Sequence, residues 1–248
     1  MEQTTAHRQI VVAKNYDELC SVAVQKILSL SLEAIKERGV CTMALSGGST
    51  PQGVYSLMAD GNYSGKFEWN KIHFFLGDER YVPLHDSRSN YKMIADAFSV
   101  NAKIPLSHVH SVKTNTSDIR LSAEMYEQEL LSFFRLKSNA LPQFDIMLLG
   151  IGEDGHTASL FPGHSAIDET KRLVAPVEAA GIPEKRITLT LPVINNSRTI
   201  IFWVSGSGKA PMVKKILAEH VPLPAGRVHP HHGALLWYMD ESAAGSLS

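Results

Sequence analysis

Cysteine is scarce: Cys20 and Cys41 are the only two in 248 residues, and they form no C-x-x-C spacing. That excludes a disulfide framework and fits a reducing compartment, with both thiols expected as small core residues. Charge of one sign is lacking too, since 24 Lys and Arg stand against 25 Asp and Glu. No global field is there to hold a nucleic-acid backbone or an anionic membrane, so an anionic ligand has to be met locally. No apolar run is long enough to cross a bilayer. Residues 1–8 are polar rather than basic and then apolar, so no secretory signal is expected; the closing Ser-Leu-Ser lacks the basic middle residue of a peroxisomal address. A cytoplasmic protein is the expectation. Repeats and low-complexity linkers are missing as well. A domain boundary could fall at residues 138–142, but the chain is read as one domain, 1–248.

Apolar runs of strand length alternate with longer amphipathic stretches, which predicts an α/β layered fold with a largely parallel sheet. Buried strands are expected at residues 40–45, 72–76, 144–149, 187–191, 199–204 and 234–239, and helices at 16–38, 117–137 and 208–220. Leu19, Ala23, Ile27, Leu30 and Ala34 recur at helical spacing, which marks a core face. Residues 101–105 and 222–226 read as ordinary loops. Ligands of such sheets bind beyond the carboxyl ends of strands, so the loops that follow strands are where chemistry is sought.

The first such loop is Ser46-Gly47-Gly48-Ser49-Thr50-Pro51. Glycines let the backbone approach an oxyanion, and a helix start with Thr50 as N-cap and Pro51 at the first helical position would favour phosphate. The Gly-Lys-Ser/Thr ending of a nucleotide loop is missing, so a sugar phosphate suits it better than a triphosphate. The plain alternative is a glycine-rich turn with a helix cap.

The second loop, Gly77-Asp78-Glu79-Arg80-Tyr81-Val82-Pro83, puts charges directly after an apolar strand. Arg80 could clamp phosphate through its forked donors, and Asp78 could bind sugar hydroxyls or orient another side chain. Glu79 reads as a surface ion-pair partner of Arg80.

The third loop, Gly150-Ile151-Gly152-Glu153-Asp154-Gly155-His156, contains a G-x-G-x-x-G match. A dinucleotide site is rejected because Glu153 and Asp154 put carboxylates where a pyrophosphate would sit, and because the strand lies mid-chain. The glycines instead present His156 beside Asp154, and histidine is the natural general base near neutral pH. Hydrolysis of an activated acyl bond would need little beyond that base, a held substrate and a stabilised oxyanion.

Arg186 and Lys209 are further cations that could complete a phosphate cradle, Lys209 because it follows a strand through Ser205-Gly206-Ser207-Gly208 and opens a helix. Adjacent His229, His231 and His232 lack the spacing that converges metal ligands, so no metal is expected. Ser46 and Ser159 do not sit in G-x-S-x-G, which leaves a serine nucleophile unsupported.

Taken together, residues 45–51, 77–83, 89–91, 150–163, 186–190 and 205–209 strongly resemble the motifs of the 6-phosphogluconolactonase family, over nearly the whole chain. The resemblance implies a three-layer Rossmann-like sandwich, shared with glucosamine-6-phosphate deaminase and more distantly with ribose-5-phosphate isomerase and the CoA transferases. It implies hydrolysis of 6-phosphoglucono-δ-lactone in the oxidative pentose phosphate pathway without a cofactor. His156 would activate water, and Asp78 or Asp154 would orient it. Ser46, Gly47, Gly48, Ser49, Thr50, Arg80, Arg186 and Lys209 would bind the phosphorylated substrate. A monomer that engages neither nucleic acid nor membrane is expected. In the deaminases the histidine is followed by a segment whose glutamate shares the acid-base work; here that position is Phe161, which cannot titrate. A non-catalytic sugar-phosphate sensor is the remaining alternative, but neither spare length nor a basic patch supports the DNA-binding segment such sensors carry.

Overall fold

The computed structural model describes residues 7–98, 102–137, 140–178, 181–245 and 247. Residues 138 and 139 of the possible boundary, residues 1–6 of the polar start, residue 101 and the serines at 246 and 248 lie outside them. The strands are β1 His7–Ala13, β2 Cys41–Leu45, β3 Ile72–Leu76, β4 Asp78–Arg80, β5 Val109–His110, β6 Ile146–Leu149, β7 Val174–Val177, β8 Arg186–Leu189, β9 Thr199–Val204 and β10 Ala234–Asp240. The helices that position the site are α1 Tyr16–Arg38, α2 Ser49–Met58, α3 Asn90–Phe98, α4 Ile119–Phe133, α5 Leu191–Asn195 and α6 Ala210–Leu217.

Seven strands form a central sheet in the order β1-β10-β9-β6-β2-β3-β5, and every pairing in it is parallel. Covered strands of this kind need apolar side chains on both faces, and β2 and β9 are buried at every position. From β2 the chain winds outward through β3 and β5, then returns to the other side of β2 and winds away through β6, β9 and β10. The crevice between the carboxyl ends of β2 and β6 is therefore the topological switch point, where open α/β sheets bind ligands.

Local chemistry explains α1. Asn15 caps it by accepting from the Glu18 amide at 3.0 Å, Asp17 and Glu18 lie in the first turn and Lys36 and Arg38 in the last, and Gly39 ends it at φ 81°. Leu19, Ala23, Ile27 and Ala34 are buried as expected, and Leu30 is partly buried. Cys20 and Cys41 are both free and buried. No helix of the described residues is long and apolar enough to cross a membrane.

The structure departs from the sequence expectation at several points. The strand expected at 187–191 is β8, and it belongs to a separate antiparallel sheet, β4-β8-β7, not to the central one. Its last two expected residues leave the strand: Thr190 precedes α5 and Leu191 begins it. The small sheet exists because the chain peels away from β3 at Gly77, whose amide still bonds Leu45 O and whose carbonyl accepts from the Leu189 amide, both at 2.8 Å. Edge strand β1 is additional to the expected strands: its His-Arg-Gln start is polar, and at the sheet edge Ile10 and Val12 remain exposed. The helices expected at 117–137 and 208–220 are shorter, as α4 and α6.

Candidate active site

A cavity of about 210 Å³ opens at the switch point, and all three loops reach it. Ser46, Gly47 and Gly48 come from the exit of β2, Asp78 and Arg80 from β4, Gly150, Gly152 and His156 from the exit of β6, Arg186 from β8 and Lys209 from the turn after β9. Ser49, Thr50 and Asp154 do not line it.

The first loop is pinned by the buried Tyr55 hydroxyl, which accepts from the Ser46 amide at 3.1 Å and donates to the Ser46 carbonyl at 3.0 Å. Gly47 is required by close approach, because a Cβ there would come within 1.9 Å of Asn90 Oδ1. The expected capping role of Thr50 is corrected: α2 starts at Ser49, with Gly48 (φ 109°) in the cap position and no side-chain cap. The reversal at Gly48 starts the helix two residues early, and Pro51 is tolerated in its first turn because amides there have no intrahelical acceptor. The helix start and its dipole thus border the cavity through Gly48.

In the second loop Asp78 is buried: Oδ2 accepts from the Ser159 hydroxyl at 2.6 Å and Oδ1 from Asn90 Nδ2 at 3.3 Å. Ser159 is fully buried and committed to that bond, so it is no nucleophile. Glu79 is not the surface ion-pair partner the sequence suggested. It is fully buried and accepts from the Arg80, Asn90 and Tyr91 amides at 2.7, 2.7 and 2.8 Å and from the Ser89 hydroxyl at 3.0 Å. Burial pushes its carboxyl pKa up, against the pull of these hydrogen bonds. It ties the start of α3, and with it Asn90, to the loop.

Arg80 and Arg186 face one another as a cross-strand pair of β4 and β8. Arg80 Nη1 donates to Arg88 O at 2.6 Å, while Arg186 Nη2 lies 4.0 Å from Glu184 and its guanidinium 5.8 Å from the centre of the Phe161 ring. Burial lowers the Arg186 pKa; Asp78 opposes that shift and Arg80 adds to it. The Nε atoms of both arginines are buried without a partner among the described residues, as are Ser46 Oγ and Asn90 Oδ1. Among the described residues no carboxylate pairs with Arg80 or Lys209. Lys209 is set by a turn in which Gly206 (φ 94°) and Ser205 both bond Asp240 at the end of β10.

The third loop folds back on itself: the Gly152 amide donates to His156 O at 2.8 Å and the Gly155 amide to Gly152 O at 3.1 Å. His156 Nδ1 lies 2.6 Å from Asp154 Oδ1, which also accepts from the His156 amide at 3.1 Å. Partial burial pushes the Asp154 carboxyl up, but the His156 amide, the imidazole charge and the ring hydrogen bond outweigh it and hold the pKa below the usual range. An ionised carboxylate only accepts, so Nδ1 carries a proton, and in the neutral ring Nε2 is the acceptor. Between the two carboxylates left open by the sequence, the structure gives His156 to Asp154 and Asp78 to Ser159 and Asn90. No helix follows the glycines of this loop, so the pyrophosphate seat of a dinucleotide fold is not formed.

Asn90 and Asp240 are the site residues that the sequence did not single out, and Glu79 is one to which it gave another role. Asn90 and Glu79 do lie in the segments that carried the resemblance. His229 and His231 are held by their backbone amides to Asn195, at 2.8 and 3.0 Å.

A family model described as glucosamine-6-phosphate isomerases/6-phosphogluconolactonase matches residues 14–237. A 6-phosphogluconolactonase of Synechocystis is 37% identical over 242 residues, covering 96% of this chain and 98% of its own. Among solved structures, a 6-phosphogluconolactonase of Thermotoga maritima superposes with a TM-score of 0.82 at 34% identity, over 94% of this chain and 99% of its own. That of Trypanosoma brucei gives 0.87 at 30% identity, over 98% and 100%. With these likenesses running the length of both chains, and the three loops meeting at one cavity, the chain belongs to the glucosamine-6-phosphate isomerase/6-phosphogluconolactonase family.

Proposed function

We propose that the protein hydrolyses 6-phosphoglucono-1,5-lactone to 6-phosphogluconate, a step of the oxidative pentose phosphate pathway. The observation that carries this reading is the meeting of Arg80, Arg186 and Lys209 with His156 around one cavity of about 210 Å³. That volume lies below the roughly 300–1,000 Å³ typical of drug-sized ligands and suits a monosaccharide phosphate. The cations and the Ser46–Thr50 segment hold the phosphate, with Ser49 and Thr50 acting through the helix start rather than through the cavity wall.

Asp154 keeps Nδ1 of His156 protonated, so Nε2 takes a proton as water oxygen bonds to the lactone carbonyl carbon. The tetrahedral intermediate then collapses, the bond from that carbon to the ring oxygen breaks, and His156 returns its proton to the departing oxygen. Asp78, fixed by Ser159 and Asn90, faces the substrate hydroxyls and balances Arg186. No step calls for a cofactor. Phe161, whose ring centre lies 4.6 Å from that of His156, offers no second titrating group, which disfavours the deaminase reaction. Near-balanced charge supports binding of a small sugar phosphate rather than of nucleic acid or an anionic membrane, and two free, buried cysteines fit a reducing compartment such as the cytoplasm.

Mixing the purified protein with freshly generated lactone tests the proposal. Acid release well above the spontaneous rate is expected; a rate equal to that of buffer for folded protein would refute it.

A further inference from the structure

A second cavity, of about 310 Å³, lies at the opposite end of the sheet, where β1 and β10 begin. Arg8 and Leu235 are the second residues of those strands, whereas the catalytic loops leave the carboxyl ends. Among the described residues its wall carries two arginines, Arg8 and Arg227, two histidines, His220 and His229, and no aspartate or glutamate. In a chain whose charges nearly cancel, such a one-sign lining is a local selection for anions.

The arginines are positioned but not consumed. Arg8 Nη2 donates to Leu217 O at 3.3 Å, which lays the side chain across from β1 to the end of α6. Arg227 Nη1 pairs with Asp168 at 2.8 Å, but that pair is exposed, so it is weak and leaves the other guanidinium donors available. His220 takes φ 54° as the residue that closes the end of α6, where the Val221 amide returns to Lys215 O at 2.9 Å, and this turn sets it in the wall.

The rest of the wall is apolar, with Ile216 from α6, Val228, and Leu235 and Trp237 from β10. Phe202 stacks on one face of the Trp237 indole at 4.1 Å and is not part of the wall, so another part of that ring meets the cavity. A bare inorganic ion would leave this floor unused, and a neutral ring would leave the cations unused.

We propose that this cavity is a second ligand site, separate from the catalytic one, for a small organic anion: a flat apolar ring bearing a phosphate or carboxylate. It gives His229, whose segment has no part in lactone hydrolysis, a place in a site.

Calorimetric titration with phenyl phosphate tests it on three proteins: the natural chain, Arg8→Gln/Arg227→Gln, and Arg80→Gln/Lys209→Gln. Binding is expected to persist in the last and to weaken by about tenfold or more in the second, the loss of two charge-assisted contacts. Inorganic phosphate and phenol should each bind at least about tenfold more weakly, since each lacks one half of the recognition. Arg8, Arg227 and His229 are exposed, so unfolding is not expected; should the double variant fail to fold, His229→Ala replaces it, with weakened binding expected. Equal binding by the Arg8/Arg227 variant, loss of binding only in the Arg80/Lys209 variant, or equal affinity for inorganic phosphate or phenol would overturn the assignment. The outcome does not depend on whether the lactone is the substrate.

Discussion

Arg80 and Arg186 stand directly opposite one another on adjacent antiparallel strands, each with a buried Nε that no atom of the described residues accepts from. Like charges in that relation destabilise a sheet, and Asp78, with Glu184 and Glu79, only partly offsets them. An anion between them would satisfy both.

It follows that Arg186→Gln relieves repulsion in the free protein while removing a phosphate contact. KM for the lactone should rise by roughly 10- to 100-fold, as for the loss of a charged hydrogen bond. The melting temperature should stay the same or rise, and added inorganic phosphate should stabilise the natural protein more than the variant. Steady-state kinetics and thermal unfolding with and without phosphate check all three.

Gly152 is held to glycine by the dyad. A Cβ at this position would lie 2.1 Å from His156 Nδ1 and 2.6 Å from Asp154 Oδ1, so Gly152→Ala must displace one of them. The expected result is a kcat reduced by roughly 10²-fold or more, the scale of general base catalysis, with KM little changed. Gly61→Ala, where a Cβ meets nothing within 4 Å, should behave as the natural protein in the same assay.

Asp154→Asn would let Nδ1 lose its proton preference. A kcat loss of roughly 10²-fold or more is expected, with affinity for 6-phosphogluconate retained. A loss confined to KM would show that Asp154 serves binding and not the histidine.

Glu79→Ala strands the amides of Asn90 and Tyr91 and the Ser89 hydroxyl in a buried place. Destabilisation on the order of 3 kcal/mol is expected by chemical denaturation, because each orphaned buried donor costs about 1–3 kcal/mol. Activity should fall with it, since Asn90 is released from Asp78.

The histidine cluster at the sheet edge adds a pH dependence. His73 Nδ1 lies 3.1 Å from His110 Nε2 and its ring stacks on His108 at 4.0 Å. Burial, then His108 and His110, lower its pKa from 6.5 to about 4. Below pH 6.5 the unfolded chain takes up this proton while the folded protein does not until about pH 4, so stability declines as pH falls through that window. Thermal unfolding between these values should show a smaller decline for His73→Phe.

The sequence revealed most where chemistry is contiguous. Each catalytic loop directly follows an apolar strand, so Gly47, His156 and Lys209 stood out without knowledge of the fold. Asp154 was visible only as one of two candidates, because deciding against Asp78 needed Ser159 and Asn90, which reach it from distant parts of the chain. Glu79 was misread for a related reason: a carboxylate beside an arginine looks like a surface pair until the start of α3 is seen to supply its donors. The pairing of β4 with β8 was likewise hidden, since three charged residues, Asp78–Arg80, do not look like a strand. The Gly48 backbone reversal, which moved the helix start away from Thr50, is a matter of φ rather than of residue type.

The central claim is that one cavity joins a phosphate grip to an imidazole base, and the His156→Ala protein tests it most directly when lactone turnover and 6-phosphogluconate affinity are measured on the same preparation. The account predicts turnover lowered by roughly 10²- to 10⁴-fold with affinity unchanged. Turnover equal to that of the natural protein would contradict it.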